Sequence, residues 1–457
     1  MTGRSPLAAP CRPPGHPDTA RLVSRTAPLE EGTAASADLL DALGSGPGSF
    51  CWITGATGFV TAGVAARIPV RPGPGRFRGA AAEVAERLGA IPVEGLDGAP
   101  GPRGPGGVPR TPLAGPVAVG ALPFGDQAWG ELIVPAVVVG RDAAGRAWIT
   151  ETAPASAGRT PAVPLGPAVW PSGNGDGRTA GVGPGWPAVP VRERPARHQW
   201  QAAVRRVLAA IEAGQVRKVV LAREVVLQAA APFCRRDVLD RLRRRNPSCF
   251  VYAAGGFVGA SPELLVRRRG GEVESCPMAG TVARGATPDE DERLALGLSA
   301  SAKDAEEHRL LVEAVLEALA PVCDGPPVAT AAEIVRLATV SHLTTRVSGR
   351  LRRPAPSALE LVGLLHPTPA VGGLPRRPAL RAIAELEGFD RGLYAGPVGW
   401  VGAGGDGEWA VALRGAELDG SRARLVAGAG IVAGSDPDAE WAETEAKLAT
   451  MLAAVGA

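Results

Sequence analysis

The chain has few aromatic residues, little net charge and no long apolar run, and each shortage excludes a class of protein. Aromatic residues make up 4% of the 457 positions, and the formal net charge is +3. A nucleic-acid-binding surface needs a basic excess and aromatic side chains for base stacking, so nucleic acid is not an expected partner. No run of about 18 apolar residues is present, which argues against a membrane-spanning helix.

Signal-peptide features and metal-binding spacings are lacking as well. Residues 1–32 are rich in Pro, Ala and Arg without an apolar segment, which predicts a disordered tail and a cytoplasmic protein. The six cysteines form no CxxC pair or zinc-finger spacing, a pattern typical of reduced thiols. The five histidines are not spaced as metal ligands either.

The remaining composition is that of a globular protein, with 45% hydrophobic and 21% charged residues. Glycine- and proline-rich stretches at 98–113 and 171–188 predict exposed loops. The second loop separates a weakly patterned part, 33–190, from a strongly patterned part, 191–457. The sequence therefore predicts one divergent N-terminal region and one catalytic region.

Within the C-terminal region, helical and strand patterns alternate irregularly. Apolar residues at helical spacing follow residue 197 and end before Gly214, and a β-branched run covers 216–227. Amphipathic helices are predicted over 303–319 and 437–455. Because there is no regular βαβ repeat, the pattern favours an α+β fold with large, mostly antiparallel sheets.

A glycine pattern near the N-terminus superficially matches a dinucleotide-binding loop. Gly55 and Gly58 follow an apolar run, but the third glycine position is Thr61 and Pro69 would interrupt the helix. No acidic residue stands about 20 positions further on, where a ribose partner is expected. We therefore predict a strand–turn–strand over 51–68, with a nicotinamide oxidoreductase as a remote alternative.

Lys218 lies within the predicted strand 216–227. Side chains two residues apart share a face of a strand, so Lys218 shares a face with Val216, Val220 and Ala222. One interpretation is a lysine that extends from the sheet edge into solvent. The other is a desolvated amine that is fit to act as a base near neutral pH.

Carboxylates on two predicted helices are candidates for a metal site. Glu307 falls on the apolar face of its helix, where a carboxylate is costly without a cation. Glu440, Glu443 and Lys447 share one face of the last helix, which could instead be a solvated surface. Two inward glutamates and no soft ligands favour Mg²⁺ over zinc.

Glycine-rich segments and one arginine are candidates for anion binding. Residues 279–281 and 427–432 can present backbone N–H groups to a carboxylate, and Arg414 can bind one with two hydrogen bonds. Each segment by itself is more typical of a turn or a bulge than of an anion site.

Taken together, these segments resemble the chorismate-utilising enzymes, namely isochorismate synthases, salicylate synthases, anthranilate synthase large subunits and aminodeoxychorismate synthases. The resemblance covers nearly all of residues 197–457, with a fainter match at 120–124. It implies one large α+β fold in which two sheets pack face to face with helices outside. The matching segments are KVVLAR (218–223), GASPELLV (259–266), PMAGTVARG (277–285), SAKDAEEH (301–308), SHLTTRVSG (341–349), HPTPAVGGLP (366–375), YAGPVGW (394–400), GEWAVALR (407–414) and AGAGIVAGSDPDAEWAETEAKL (427–448).

The resemblance also implies a role for each matching residue. Lys218 corresponds to the base that activates water, and Glu263 corresponds to the acid. Glu307 and Glu443 correspond to Mg²⁺ ligands, with Glu440 as a further or water-mediated partner. The positions implied to contact the substrate are Gly280, Thr281, His342, Ala370, Tyr394, Leu413, Arg414, Gly428 and Lys447.

Two alanines indicate the branch of the family. Aminodeoxychorismate synthases often carry a nucleophilic lysine where this chain has Ala279, and amine- or pyruvate-forming relatives usually carry threonine at Ala370. The expected activity is therefore Mg²⁺-dependent isomerisation of chorismate to isochorismate, for menaquinone or for a siderophore. An anthranilate- or salicylate-forming lyase is the main alternative, and a non-catalytic homologue is a remote one. No glutaminase subunit is expected, and a monomer and a homodimer both remain open.

Overall fold

The protein is described by a computed structural model. Two predicted loops, 98–113 and nearly all of 171–188, lie outside the described residues. The described residues are 21–29, 38–44, 46–95, 115–155 and 188–457.

The described residues form eight α-helices, two short 3₁₀ helices and 23 strands. The α-helices are α1 (Arg76–Gly89), α2 (Arg197–Glu212), α3 (Arg235–Arg245), α4 (Pro288–Ala300), α5 (Ala302–Leu319), α6 (Ala358–Leu365), α7 (Arg376–Leu386) and α8 (Pro437–Val455), and the 3₁₀ helices are Leu39–Ala42 and Ala320–Val322. The strands are β1 (Leu22–Pro28), β2 (Phe50–Thr54), β3 (Thr57–Val70), β4 (Val93–Gly95), β5 (Val117–Ala121), β6 (Gly130–Arg141), β7 (Ala147–Pro154), β8 (Val189–Arg194), β9 (Lys218–Gln228), β10 (Phe250–Ala254), β11 (Phe257–Ser261), β12 (Leu264–Arg269), β13 (Glu272–Cys276), β14 (Met278–Ala283), β15 (Val328–Ala329), β16 (Glu333–Arg336), β17 (Val340–Thr344), β18 (Val347–Arg350), β19 (Gly373–Leu374), β20 (Pro397–Gly402), β21 (Gly407–Val411), β22 (Gly415–Asp419) and β23 (Arg422–Ile431).

Twenty of these strands are connected into one large sheet, and β14, β17 and β16 form a smaller one. The pairings are antiparallel apart from β1 with β4. Strands from both halves of the chain pair directly, as β2 does with β10 and β5 with β20. The predicted α+β class and mostly antiparallel architecture are confirmed, and the N-terminal region completes the same sheet.

The predicted hairpin near the N-terminus is present as β2 and β3, joined by a tight turn. Gly55 and Gly58 both have positive φ values, 60° and 136°, which explains glycine at this turn. A Cβ on Gly58 would lie 2.0 Å from the Trp52 carbonyl oxygen. The glycine pattern therefore serves a close backbone approach between two strands.

The prediction of a disordered tail over 1–32 was wrong for Leu22–Pro28, which form β1. This strand pairs with β7 on one side and with β4 on the other. Val23, Ser24 and Thr26 are buried, and the Thr26 hydroxyl hydrogen-bonds that of Thr150. Polar β-branched residues fit a pleated, half-buried strand, which the proline- and arginine-rich context concealed.

The strand β9 is buried along almost its whole length. It pairs with β23 from Val219 with Ile431 to Gln228 with Arg422. Helix α8 packs across β23, and α5 packs against β14. The predicted strand 216–227 and helices 303–319 and 437–455 are confirmed within two residues at each end.

Both of these helices begin at a capping side chain. Ser301 accepts a hydrogen bond from the Asp304 backbone, and Asp436 accepts two from the first turn of α8. The caps fix where α5 and α8 start, and hence which of their side chains face the sheet. In the part of the chain that the structure describes, none of the helices has the length and apolar character needed to cross a membrane.

Candidate active site

The predicted site residues converge on one pocket, with about 550 Å³ of empty space that opens to solvent. All of them line it except Lys218 and Glu440, which lie directly behind its wall. The pocket is bounded by β9, β14, β17, β23, α5 and α8 and by four connecting segments. Its lining residues are Val220, Pro262, Glu263, Met278, Ala279, Gly280, Thr281, Glu307, His342, Ala370, Val371, Tyr394, Leu413, Arg414, Gly428, Gly430, Glu443 and Lys447.

Lys218 is one of the most buried side chains in the described part of the chain, with 1% exposure. The interpretation of a lysine that extends into solvent was therefore wrong. Its Nζ lies 2.8 Å from Glu307 Oε1, which joins β9 to α5. A lysine this deep in a sheet needs a counter-charge, and Glu307 supplies it.

Two further lysines pair with the carboxylates of α8. Lys447 Nζ lies 2.5 Å from Glu443 Oε1 and 3.0 Å from the Gly428 carbonyl oxygen. Lys303 Nζ lies 2.8 Å from Glu440 Oε1, and Glu440 is only 3% exposed. The face of α8 that could have been solvated is instead turned toward α5 and the pocket.

Negative charge is crowded where α5 meets α8. Burial raises the pKa of Glu440, and the charge of Glu443 raises it further. Burial, and then the charge of Glu307, raise the pKa of Asp304 in the same way. Burial also raises the pKa of Glu307, but Lys218 and two other lysines outweigh it, so that this pKa lies below its usual value.

The carboxylate oxygens between α5 and α8 suit a hard divalent cation better than a soft one. Carboxylate oxygens are what Mg²⁺ prefers, and their mutual repulsion is relieved by a cation. Among the described residues, no three His, Cys, Asp or Glu side chains are already gathered as a metal cluster. The candidate ligands Glu307 and Glu443 face the pocket, each held by a lysine.

Glu263 lies in a different environment from Glu307 and Glu443, which pair with lysines. It follows the Ser261–Pro262 turn, where its backbone N–H donates to the Ser261 hydroxyl, and it is 3% exposed. Burial raises the pKa of its carboxyl group to about 8, although Lys218 and Arg414 oppose the shift. With a pKa of about 8, the carboxyl group of Glu263 is mostly protonated at neutral pH.

His342 and Arg414 form a buried polar pair at another wall. Arg414 Nη2 donates to His342 Nε2 over 2.9 Å, so His342 is neutral with its proton on Nδ1. That Nδ1 lies 3.1 Å from the Gly280 carbonyl oxygen, to which it donates. Burial, together with the charges of Arg414 and Lys447, holds the pKa of His342 well below its usual value.

The Arg414 guanidinium is still incompletely paired. Its Nε is buried and has no hydrogen-bond partner among the described residues. Its backbone has a φ of 49°, an uncommon conformation for a residue other than glycine. A buried, pocket-lining guanidinium with a free donor is a site for an anion.

Glycines on β23 make room for the charged side chains. A Cβ on Gly430 would lie 2.6 Å from Glu307 Oε1 and 2.9 Å from Lys218 Cε. A Cβ on Gly428 would lie 3.1 Å from the Tyr394 hydroxyl. Residues 427–431 thus form a strand rather than a turn, and its glycines leave room for Glu307 and Tyr394 at the pocket and for Lys218 behind its wall.

The sequence analysis did not identify several lining residues, although most of them lie in segments that it had singled out. Gly430 belongs to the AGAGIV segment, and Val220 shares the strand face of Lys218. Met278 and Val371 stand within segments already recognised, one position away from residues that were selected. The apolar walls were missed because no chemistry distinguishes them before the fold is known.

Comparisons with known proteins agree with this geometry. Residues 186–456 match the family model described as chorismate binding enzyme. The isochorismate synthase DhbC of Bacillus subtilis is 41% identical over 277 residues, which cover 58% of this chain and 70% of that protein. The isochorismate synthase EntC of Escherichia coli is 40% identical over 269 residues, which cover 57% of this chain and 68% of that protein.

A solved structure extends the likeness to the N-terminal region. The structure of MenF, the menaquinone-specific isochorismate synthase of Escherichia coli, superposes with a TM-score of 0.75 at 26% identity. The superposition covers 96% of this chain and 95% of that one. From the motifs, the pocket that they build and these similarities, we conclude that the chain belongs to the chorismate-binding enzyme family.

Proposed function

We propose that this chain converts chorismate to isochorismate. The observation that carries the proposal is a buried lysine that contacts the pocket-lining Glu307, together with a pocket-lining carboxyl group, Glu263, whose pKa burial raises to about 8. Moving a hydroxyl group around a ring needs a base and an acid in the same site. The names of the relatives, isochorismate synthases at about two fifths identity, support the same reaction.

In the proposed reaction, Lys218 accepts a proton from a water molecule as the oxygen of that water bonds to ring carbon C2. The double bond shifts and the C4 hydroxyl leaves, taking the proton of Glu263 to become water. One water enters and one leaves, so the reaction is an isomerisation. Each positioned proton transfer typically contributes about 10²- to 10⁴-fold to the rate.

Chorismate is a dicarboxylate, and the pocket offers cationic and N–H groups for both carboxylates. The free Nε of Arg414 and the ammonium group of Lys447 are the charged donors. We infer that Gly280, Thr281 and Gly428 contribute backbone or hydroxyl contacts. His342 holds the guanidinium of Arg414 by accepting one of its hydrogen bonds, and so orients the remaining donor.

We further propose that the enzyme uses Mg²⁺, held by Glu307 and Glu443 with Glu440 nearby. A bound Mg²⁺ would neutralise a substrate carboxylate among these acidic side chains. The proposal is supported by the crowding of carboxylates between α5 and α8. Lys218 and Lys447 now neutralise the two inward carboxylates, and each would become available for substrate chemistry when its partner bound a cation.

The isomerase assignment within the family is supported by two small side chains. Ala279 and Ala370 both line the pocket. Ala279 cannot form a covalent bond with the ring as a lysine could, so water remains the nucleophile. No glutaminase subunit is therefore proposed.

The experiment that tests this function is product analysis. The purified chain is incubated with chorismate and Mg²⁺, and the products are separated by chromatography while pyruvate is assayed in parallel. Isochorismate without pyruvate is expected, and Lys218→Ala should abolish it. Release of pyruvate with salicylate or anthranilate would replace the isomerase by a lyase of the same family.

A further inference from the structure

Within the part of the chain that the structure describes, the strand that carries Lys218 lacks a neighbouring strand along part of one edge. One edge of β9 pairs continuously with β23. The other edge pairs with β19 at Lys218 and Val219, and with β8 only from Glu224 onward. Among the described residues, no strand therefore lies beside residues 220–223 on that edge.

A buried ion pair occupies this gap. Glu387, at the end of α7, and Arg391, just beyond it, are each 2% exposed in their side chains. Arg391 Nε donates to Glu387 Oε2 over 2.9 Å. Glu387 Oε1 accepts the Ala222 backbone N–H over 2.8 Å, and Arg391 Nη2 donates to the Val220 carbonyl oxygen over 2.8 Å. The pair thus makes the backbone hydrogen bonds that a strand would make.

The same guanidinium also holds the neighbouring segment of the pocket wall. Arg391 Nη1 donates to the Val371 carbonyl oxygen over 2.7 Å. Val220 and Val371 both line the pocket, and Ala370 stands beside Val371. One planar group therefore ties the strand of Lys218 to the segment that carries Ala370, next to the direct hydrogen bond from the Val220 N–H to the Gly372 carbonyl oxygen.

Aromatic rings complete the surroundings of Arg391. Its guanidinium carbon lies 4.4 Å from the ring centroid of Phe124 and 5.9 Å from that of Tyr394. Tyr394 lines the pocket, whereas Phe124 comes from the N-terminal region. Arg391 contacts three parts of the pocket wall without lining the pocket itself.

We propose that the Glu387–Arg391 pair positions Lys218 for the reaction. It would fix Lys218 relative to a substrate ring bound in the pocket that Ala370 and Val371 line. The inference rests on the proposed function of the pocket. A general base that is displaced by about 1 Å can lose on the order of 10²-fold in rate. The charged groups proposed to bind the substrate carboxylates lie elsewhere, Arg414 between β21 and β22 and Lys447 on α8.

The decisive variant removes the pair but keeps the volume. Buried ion pairs can often be replaced by apolar residues of similar size without loss of stability, so Glu387→Leu combined with Arg391→Met should fold. We expect a lower melting temperature, because the Ala222 N–H and the Val220 and Val371 carbonyl groups lose their partners, together with a kcat lower by about 10- to 100-fold and a KM changed by less than about threefold. The matched control is Arg267→Lys, which weakens an ion pair with Glu408 remote from the pocket and should leave kcat unchanged.

Arg391→Lys keeps the charge and loses the planar fork, so it should lower kcat by about tenfold and remain folded. If the double variant does not fold, the kcat of Arg391→Lys tests whether the ion pair positions Lys218. A folded variant with wild-type kcat would overturn the proposal and leave the pair as a purely structural contact. A raised KM with unchanged kcat would overturn it as well. Absence of isochorismate with the wild-type chain would instead refute the proposed function.

Discussion

Burial of the Glu263 carboxyl group makes both stability and activity depend on pH. In the unfolded chain this group ionises near 4.5, whereas in the folded protein its pKa is about 8. Between these values the unfolded state releases a proton that the folded state keeps, so raising the pH favours unfolding. Above pH 8 both states are ionised and the difference no longer grows.

Glu263→Gln should therefore stabilise the protein increasingly from pH 5 to pH 8, by up to a few kcal/mol. The free energies of unfolding of both proteins, from urea titrations at the two pH values, measure this difference. The variant should also lose at least about 10²-fold in kcat, since it cannot donate a proton. Equal stability differences at pH 5 and pH 8 would mean that Glu263 is ionised in the folded protein.

Gly430 is the residue at which a single methyl group should disturb the site most. Its Cβ would lie within 3 Å of both Glu307 and Lys218, so Gly430→Ala should push these side chains apart. We expect a loss of more than about tenfold in kcat, measured at saturating chorismate. Gly404→Ala is the control, because nothing lies within 4 Å of its Cβ, and it should keep wild-type turnover. Equal kcat values for the two variants would show that Gly430 does not protect the Lys218–Glu307 contact.

At the scale of elements, the metal proposal depends on the approach of α5 to α8. Glu307→Ala and Glu443→Ala should each weaken Mg²⁺ binding, which isothermal titration calorimetry measures directly without turnover. EDTA should abolish activity, and Mg²⁺ should restore it for the wild type but not for these variants at ordinary concentrations. Glu313→Ala is the control, since that carboxylate lies on the solvent face of α5 and pairs with Arg309. Full activity after exhaustive dialysis against EDTA would contradict the proposal.

The elements that hold this site could largely be predicted from sequence, for local physical reasons. The β-branched run of β9 and the apolar spacing of α5 and α8 need no distant partner to be recognised. Strand β1 was missed because its context, rich in proline and arginine, obscured a short strand that depends on β4 and β7 for pairing. Periodicity thus identifies elements whose own length and pattern suffice.

Contacts between distant segments could not be predicted in the same way. The burial of Lys218 was a possibility from its apolar strand face, but its pairing with Glu307 depends on how α5 packs on the sheet. The Glu387–Arg391 pair reads as an ordinary i, i+4 helix pair until the gap beside β9 is seen. The site residues could be predicted from the family resemblance, whereas the contacts among them are seen only in the structure.

At the scale of the whole molecule, the strands of the N-terminal region pair with those of the catalytic region, so one chain builds the entire described pocket. We therefore expect activity without a glutaminase subunit. Ammonium added to the purified chain should give no anthranilate, because water is the proposed nucleophile and Ala279 and Ala370 replace the residues of other branches. Fluorescence detection of anthranilate measures this outcome. Anthranilate as the major product with ammonium would place the chain in an amine-using branch.

The most direct test of the proposed reaction follows the oxygen atom. The purified chain is incubated with chorismate and Mg²⁺ in ¹⁸O-labelled water, and isochorismate is analysed by mass spectrometry and NMR. Attack of water at C2 with loss of the C4 hydroxyl predicts one solvent oxygen in each isochorismate molecule, at C2, and no pyruvate. Isochorismate that keeps its unlabelled hydroxyl, or pyruvate released with an aromatic product, would contradict the proposed roles of Lys218 and Glu263.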